Sequence, residues 1–221
     1  VRTPRAVIFD FGNTLFAHAP LADTLLAAAT ALGAAITAKE ATACAARIES
    51  AAQSAAERAL GRDLDAEVWE SQWRRLYSAA DRYGEGLGDE VYRRMHAPEE
   101  WVPYRETEAT LRRLHRHGVH VGVLSNTGWD VRSVFRRHGY EAWIDAFGLS
   151  YELGEVKPSP AAFTAMCALL GAEPRDVVMV GDDVIADAGA AHAGLRTLLL
   201  PVAAPGADNG ISLAATFVGA E

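Results

Sequence analysis

The stretch "VIFDFGNTL", residues 7–15, runs three apolar residues into the carboxylate of Asp10 and then leaves position 12 without a side chain. Val7, Ile8 and Phe9 belong to a run, residues 5–10, with the length and β-branching of a strand buried in a parallel sheet. Residues 119–125, 176–181 and 195–200 are runs of the same kind, and a weaker one ends at Gly148. Between the later runs lie helix-like segments, residues 129–138, 160–170 and 186–193, each followed by the glycine that commonly stops a helix. Alternating strands and helices predict parallel pairing through right-handed crossovers, an α/β fold.

The interval from residue 20 to residue 97 interrupts this pattern with helical signals alone. Thr37 and Glu40 have capping-box spacing, which predicts a helix from there to Leu60, before Gly61. Val68, Trp69, Trp73, Leu76, Tyr77 and Ala80 recur at three- and four-residue steps and read as the packing face of another helix. Gly84, Gly86 and Gly88 read as a flexible return. Residues 98–105, with Trp101 and Pro103, lead back to a core helix at 106–117. The expected organisation is a core of residues 1–18 and 98–221 and a helical insertion of residues 19–97. Residues 202–221 carry only weak strand signals and receive no assignment.

The chain of 221 residues is 50% hydrophobic and 23% charged, which suits one domain with an insertion. Its net charge of −8 argues against broad contact with nucleic acid or an anionic membrane, so any anion must bind at a focal site. Cys44 and Cys167 lack the spacing of a metal knuckle or a disulfide framework. With no targeting segment or membrane-length apolar run in view, a cytoplasmic protein is expected.

Ligands of open parallel sheets bind beyond the carboxyl ends of the strands, where Asp10, Ser125 and Asp182 fall. Singly, each of these has an ordinary reading as a turn or helix cap. Lysine narrows the choice, because arginine supplies nearly all the positive charge and only Lys39 and Lys157 depart from it. Lys39 reads as solvated in the first turn of a helix. Lys157, in "GEVKPSP" (residues 154–160), offers a compact point charge able to pair with a carboxylate and a phosphoryl oxygen together. Asp182, Asp183 and Asp187, in "GDDVIAD" (residues 181–187), would repel Asp10 unless they bound protons or shared a hard cation. An oxygen-only set open to water and phosphate suits Mg2+. Asp182 is the firmest candidate; Asp183 and Asp187 also have a reading as favourable charges at a helix N-terminus.

"VIFDFGNTL", "VGVLSNT" (residues 121–127), "EVKPSP" (residues 155–160) and "VMVGDDVIAD" (residues 178–187) stand in the order and spacing of the haloacid dehalogenase superfamily, which the chain resembles over residues 5–200. The helical insertion after the first motif resembles that family's C1 cap. The resemblance implies a Rossmann-like parallel sheet of about five strands. It also implies a hydrolase, most simply a phosphatase acting on a small phosphorylated metabolite. Asp10 would be the nucleophile, Ser125 and Asn126 would contact substrate, and Lys157 would stabilise charge. Mg2+ would be held by Asp10, the Gly12 carbonyl, Asp182 and Asp187.

Gly12 departs from the family pattern. Its phosphatases usually carry aspartate two positions after the nucleophile, where the side chain protonates the leaving oxygen and later activates water. Glycine retains the carbonyl and removes the acid. Three readings follow: a phosphatase whose leaving group needs no acid or finds one in water or His18; a 2-haloacid dehalogenase-like hydrolase, since halide leaves unprotonated; or a non-catalytic binding or regulatory protein. A signalling receiver domain also combines acids, a hydroxyl, lysine and Mg2+, but its acidic pair follows the first strand and it has no such insertion.

Overall fold

The computed structural model describes residues 3–220; Val1, Arg2 and Glu221, which the expected core also includes, lie outside the described residues. The chain opens with β1 (Ala6–Phe9) and β2 (Phe16–His18). It continues through α1 (Leu21–Leu32), α2 (Ala38–Ala52), α3 (Ala55–Ala59), α4 (Ala66–Tyr77) and α5 (Leu87–Met95) to β3 (Trp101–Pro103). Then follow α6 (Thr107–Arg116), β4 (His120–Ser125), α7 (Arg132–His138), β5 (Ala146–Leu149), α8 (Ser150–Leu153) and α9 (Pro160–Leu169). The chain ends through β6 (Val177–Gly181), β7 (Arg196–Leu199) and α10 (Leu213–Phe217).

Five strands form one parallel sheet in the order β5-β4-β1-β6-β7. β1 is central, in register with both neighbours: Phe9 lies opposite Val123 of β4 and Val180 of β6. The chain builds one half of the sheet through β4 and β5, then crosses back to build the other, so the order reverses beside β1. That reversal opens a crevice at the carboxyl ends of β1, β4 and β6, which is the site expected for ligands.

Alternation along the strands supplies two buried faces. Val7 and Phe9 join Val121, Val123, Val178 and Val180 in a core covered by α6, α7 and α10. Ala6 and Ile8 face the opposite way, with Leu124, Val177 and Met179, beneath α9. The run before Asp10 is therefore apolar throughout because each side chain meets a core: all four residues of β1 are fully buried.

The helices α1–α5 close on a core of their own, with Leu25, Cys44, Ile48, Leu76, Leu87 and Val91 buried at its centre. At its two ends β2 and β3 pair antiparallel, His18 opposite Trp101, a ribbon not anticipated from the sequence. Three residues each is too short for period-two patterning to register. The insertion meets the sheet domain closely at Gly128, where a Cβ would lie 2.3 Å from Trp69 Cβ, and at Ser150, whose hydroxyl donates to the Asp63 carbonyl.

Several local expectations are corrected. The Thr37–Glu40 capping box forms, but its helix ends at Ala52. Ser54 then caps α3 separately by accepting from the Glu57 N–H. The helix expected at 129–138 begins at Arg132, since Asp130 accepts from the Arg132 N–H and holds the preceding turn. Residues 188–193 form a 3-10 helix rather than an α-helix. The tail, unassigned from its sequence, contains α10 and no strand among the described residues; Ile211, Ala214, Ala215 and Val218 are buried against the sheet. Among the described residues, no helix is long and apolar enough to cross a membrane.

The three glycines are not one flexible return. Gly88 lies in the first turn of α5, where its N–H donates to Asp81 Oδ1 and a Cβ would stand 2.7 Å from the Tyr77 carbonyl oxygen. The obstacle is backbone and cannot rotate aside. Gly88→Ala is therefore expected to lower stability by about 1–3 kcal/mol despite alanine's better helix propensity. A urea midpoint reduced at unchanged slope is the expected result; an unchanged midpoint would mean that α5 can move off α4 without cost.

Candidate active site

The loop after β1 is built to turn back immediately. The Asp10 N–H donates to the Val180 carbonyl at 2.9 Å, extending β1 towards β6 by one more bond. The Phe11 carbonyl then accepts from the N–H groups of Leu15 and Phe16, and the Asn13 N–H donates to the Phe16 carbonyl at 2.7 Å. Asn13 takes the left-handed conformation, φ 56°, which asparagine tolerates better than most side chains. In this turn the Gly12 carbonyl receives no hydrogen bond among the described residues.

Lys157 sits at the centre of the polar cluster. Its Nζ donates to Asp10 Oδ1 and to Asp187 Oδ1, each at 2.6 Å. Asp187 is fully buried and Lys157 only 5% exposed. The other Asp187 oxygen accepts from the backbone N–H groups of Asp182 and Asp183, both at 3.0 Å. Gly181 makes this approach possible, because a Cβ there would lie 2.1 Å from Asp187 Oδ2. Asn126 fixes the lysine from behind: its Nδ2 donates to the Lys157 carbonyl and its Oδ1 accepts from the Lys157 N–H, both at 2.8 Å. The Asn126 amide lines the cavity but is engaged in that clamp.

These contacts shift the local ionisations. Burial, reinforced by Asp187 and Asp182 and opposed by Lys157, pushes the Asp10 carboxyl up to about 7. Burial likewise raises Asp182, with Asp187 adding to it and the Thr14 hydrogen bond opposing. For Lys157 burial works against the charge, yet the two carboxylates outweigh it and hold the ammonium above its usual range.

Four carboxylates, of Asp10, Asp182, Asp183 and Asp187, face one ammonium around the cavity. Asp10, Asp182 and Asp187 each offer an oxygen, and these oxygens lie within 4.8 Å of one another. One oxygen each of Asp10 and Asp182 has no hydrogen-bond partner among the described residues. With the free Gly12 carbonyl nearby, the donor set is all oxygen, crowded and undercompensated, as a hard divalent cation requires. Asp183 Oδ1 instead accepts from the N–H groups of Ile185 and Ala186 and caps its own turn.

Ser125 ends β4 beside this cluster, and its side chain has no hydrogen-bond partner among the described residues. The ends of β1, β4 and β6 and the loop between α8 and α9 thus bring Asp10, Ser125, Asp182 and Lys157 together in the lining of a cavity of about 380 Å³. The rest of the lining is largely aromatic: Trp69, Trp73 and Tyr77 of α4, His96 after α5, and Phe11, Trp101 and Trp129. The α4 stripe read as a packing face therefore serves two purposes: Leu76, Tyr77 and Ala80 pack in the helical core and Trp73 against it, while Trp69, Trp73 and Tyr77 also line the cavity.

His18 is outside the cavity, its ring nitrogens against the carbonyls of Ala19 and Arg94. Residues that sequence reasoning passed over also matter here. The Thr14 hydroxyl donates to Asp182 Oδ1 at 3.2 Å, and Asn209 Nδ2 in the tail donates to the Thr14 carbonyl at 3.0 Å. His96 has both nitrogens engaged: Trp69 Nε1 donates to Nε2 at 2.8 Å, which leaves the Nδ1 proton for the Tyr92 carbonyl. Burial lowers the His96 pKa further.

Residues 4–194 match the family of haloacid dehalogenase-like hydrolases. The chain belongs to that family. Among curated relatives, ribulose-1,5-bisphosphate 5-phosphatase of Halopiger xanaduensis is 32% identical over 128 residues, covering 56% of this chain and 53% of that protein. The chain thus spans about half the length of this relative. Among solved structures, a dehalogenase shares the fold with a TM-score of 0.72 at 22% identity, covering 98% of this chain and 97% of that one. A haloacid dehalogenase-type phosphatase from Thermococcus onnurineus gives a TM-score of 0.64, also at 22% identity, covering 98% and 99%. The chain is therefore a hydrolase by family.

In this hydrolase, replacing Lys157 by methionine leaves the buried Asp187 carboxylate without its cation. Lys157→Met is expected to cost about 3–5 kcal/mol of stability, read from denaturant unfolding followed by circular dichroism. A cost below about 1 kcal/mol would show that the ammonium does not hold the cluster together.

Proposed function

We propose that the protein is a Mg2+-dependent phosphatase acting through an aspartyl phosphate on Asp10. The observation that carries this reading is the placement of Asp10, Ser125, Lys157 and Asp182 together in the cavity lining. An Asp10 carboxylate oxygen forms a bond to phosphorus as the bond from phosphorus to the leaving oxygen breaks. Water then attacks the phosphorus of the acyl phosphate and frees the carboxylate. Splitting the displacement in this way replaces one difficult step by two easier ones.

Lys157 holds Asp10 in its attacking position through the 2.6 Å bond and places positive charge where the phosphoryl oxygens gather. Asp187 fixes the lysine and Ser125 offers a hydroxyl to a phosphoryl oxygen. Asp10, Asp182 and the Gly12 carbonyl would hold Mg2+. When bound, the cation supplies charge neutralisation at the phosphoryl group. We assign α1–α5 the role of a C1-type cap, which presents Trp69 and Trp73 to the cavity and chooses the leaving group.

Gly12 favours a second reading, a 2-haloacid dehalogenase, because halide departs without a proton. Against it stands the surplus of carboxylates: Asp10, Asp182, Asp183 and Asp187 outnumber Lys157, the one cation lining the cavity among the described residues, so without a metal ion a substrate carboxylate would meet net negative charge.

Acetyl phosphate separates the readings, since its leaving group needs no acid. Phosphate release in Mg2+ is expected, stopped by chelator and reduced at least roughly 10³-fold in Asp10→Asn. Chelator-resistant halide release from a 2-haloacid, without phosphate release, would replace the phosphatase reading by the dehalogenase one.

A further inference from the structure

We infer that the preferred substrates are aryl phosphates, monoesters of a one- or two-ring phenol with no second anionic group. The inference rests on the phosphatase reading and specifies its leaving group. Two independent features lead to it: what the site lacks near the leaving oxygen, and what lines the rest of the cavity.

The position that a general acid would occupy is Gly12. A Cβ built there points at the Trp101 ring, whose Cζ3 lies 3.9 Å away. Trp101 cannot act as the acid, because an indole N–H does not ionise in this range and Nε1 already donates to the Met95 carbonyl. His18 lies outside the cavity, and the two nitrogens of His96 are held by Trp69 and the Tyr92 carbonyl. The cavity lining therefore provides no free imidazole and no carboxyl group outside the Asp10, Asp182, Asp183 and Asp187 cluster among the described residues, and its hydroxyls are weak acids: Ser125 is an alcohol, and burial pushes the Tyr77 phenol up. An alkoxide, comparable in basicity to hydroxide at about 16, is a poor unprotonated leaving group; a phenolate, at about 10, is a far better one. As Asp10 bonds to phosphorus, the electron pair of the breaking bond goes to the aryl oxygen and spreads into the ring. The phenolate collects its proton from water afterwards.

The cavity has the matching shape and chemistry. Ring contacts run without a gap from Tyr77 through Trp73, Trp69, His96 and Trp129 to Trp101, with successive centroids 5.2–6.2 Å apart. Flat aromatic walls favour a flat guest through stacked and edge contacts. A second phosphate or a carboxylate finds no counter-charge, because the neighbouring arginines are committed elsewhere. Arg62 bonds the Ala52 carbonyl, Arg74 pairs with Glu70 and Asp89, and Arg94 pairs with Glu90 and Glu100. Aromatic walls also suit a quaternary ammonium, but the alcohol of such an ester is alkyl, and Gly12 argues against it.

The test compares three esters with Mg2+ present, 1-naphthyl, benzyl and choline phosphate, with the anhydride acetyl phosphate as the acid-independent control. Benzyl phosphate carries the ring but leaves as an alkoxide. The expected kcat/KM for 1-naphthyl phosphate exceeds that for benzyl and choline phosphate at least about 100-fold. Gly12→Asp should narrow the naphthyl-to-benzyl ratio at least about tenfold. Four of the five tryptophans line the cavity, so intrinsic fluorescence reports occupancy. Phenylphosphonate should bind at least about tenfold more tightly than methylphosphonate. Turnover of acetyl phosphate with benzyl or choline phosphate matching the naphthyl ester, or equal binding of the two phosphonates, would overturn the aryl assignment and leave a phosphatase. No phosphate from any of the three esters or from acetyl phosphate would overturn both.

Discussion

The ammonium of Lys157 between Asp10 and Asp187 is the constraint on which the rest of the site depends. A buried carboxylate such as Asp187 is tolerated only when its oxygens are bonded, and here one faces the lysine while the other accepts two backbone N–H groups. Those same N–H groups belong to Asp182 and Asp183, so the bonds that satisfy Asp187 also shape the turn that presents Asp182. Gly181 has no side chain because Asp187 occupies the space one would need. Asn126 holds Lys157 by its backbone at the end of β4. Through these contacts β1, β4 and β6 converge on one charge.

Even with the lysine in place the cluster carries an excess of negative charge, and burial pushes the Asp10 carboxyl up to about 7. A nucleophilic carboxylate needs that charge countered. The free oxygens of Asp10, Asp182 and Gly12 would give a hard cation its place. In the proposed reaction Gly12 offers the leaving group no acid, and the aromatic lining of the cavity would receive that group.

Much of this was legible in the sequence because the core elements obey local rules. The three central strands are apolar runs buried almost throughout, while the edge strands β5 and β7 are only partly buried, and the carboxyl ends of β1, β4 and β6 carry the polar residues that a parallel sheet collects in one crevice. Thr37 and Glu40 announced a cap because the interaction spans three residues. What escaped was non-local or short. The β2–β3 ribbon has three residues on each side, separated by the entire helical insertion. The bond from Asn209 to the Thr14 carbonyl joins positions 195 residues apart. Trp69 and Trp73 share a helical face with Leu76, and helical periodicity alone does not say whether that face meets a core or a cavity. Gly88 read as freedom when it marks the close approach of two helices.

The central claim, that Asp10 carries the phosphoryl group between the two steps, is tested most directly by rapid acid quench during acetyl phosphate turnover, followed by mass mapping of the peptides. The account predicts a single acyl phosphate on the peptide containing Asp10, absent when chelator is present. Turnover with the phosphoryl group on another residue, or with no covalent adduct under conditions where acetate release shows a burst ahead of phosphate release, would contradict it.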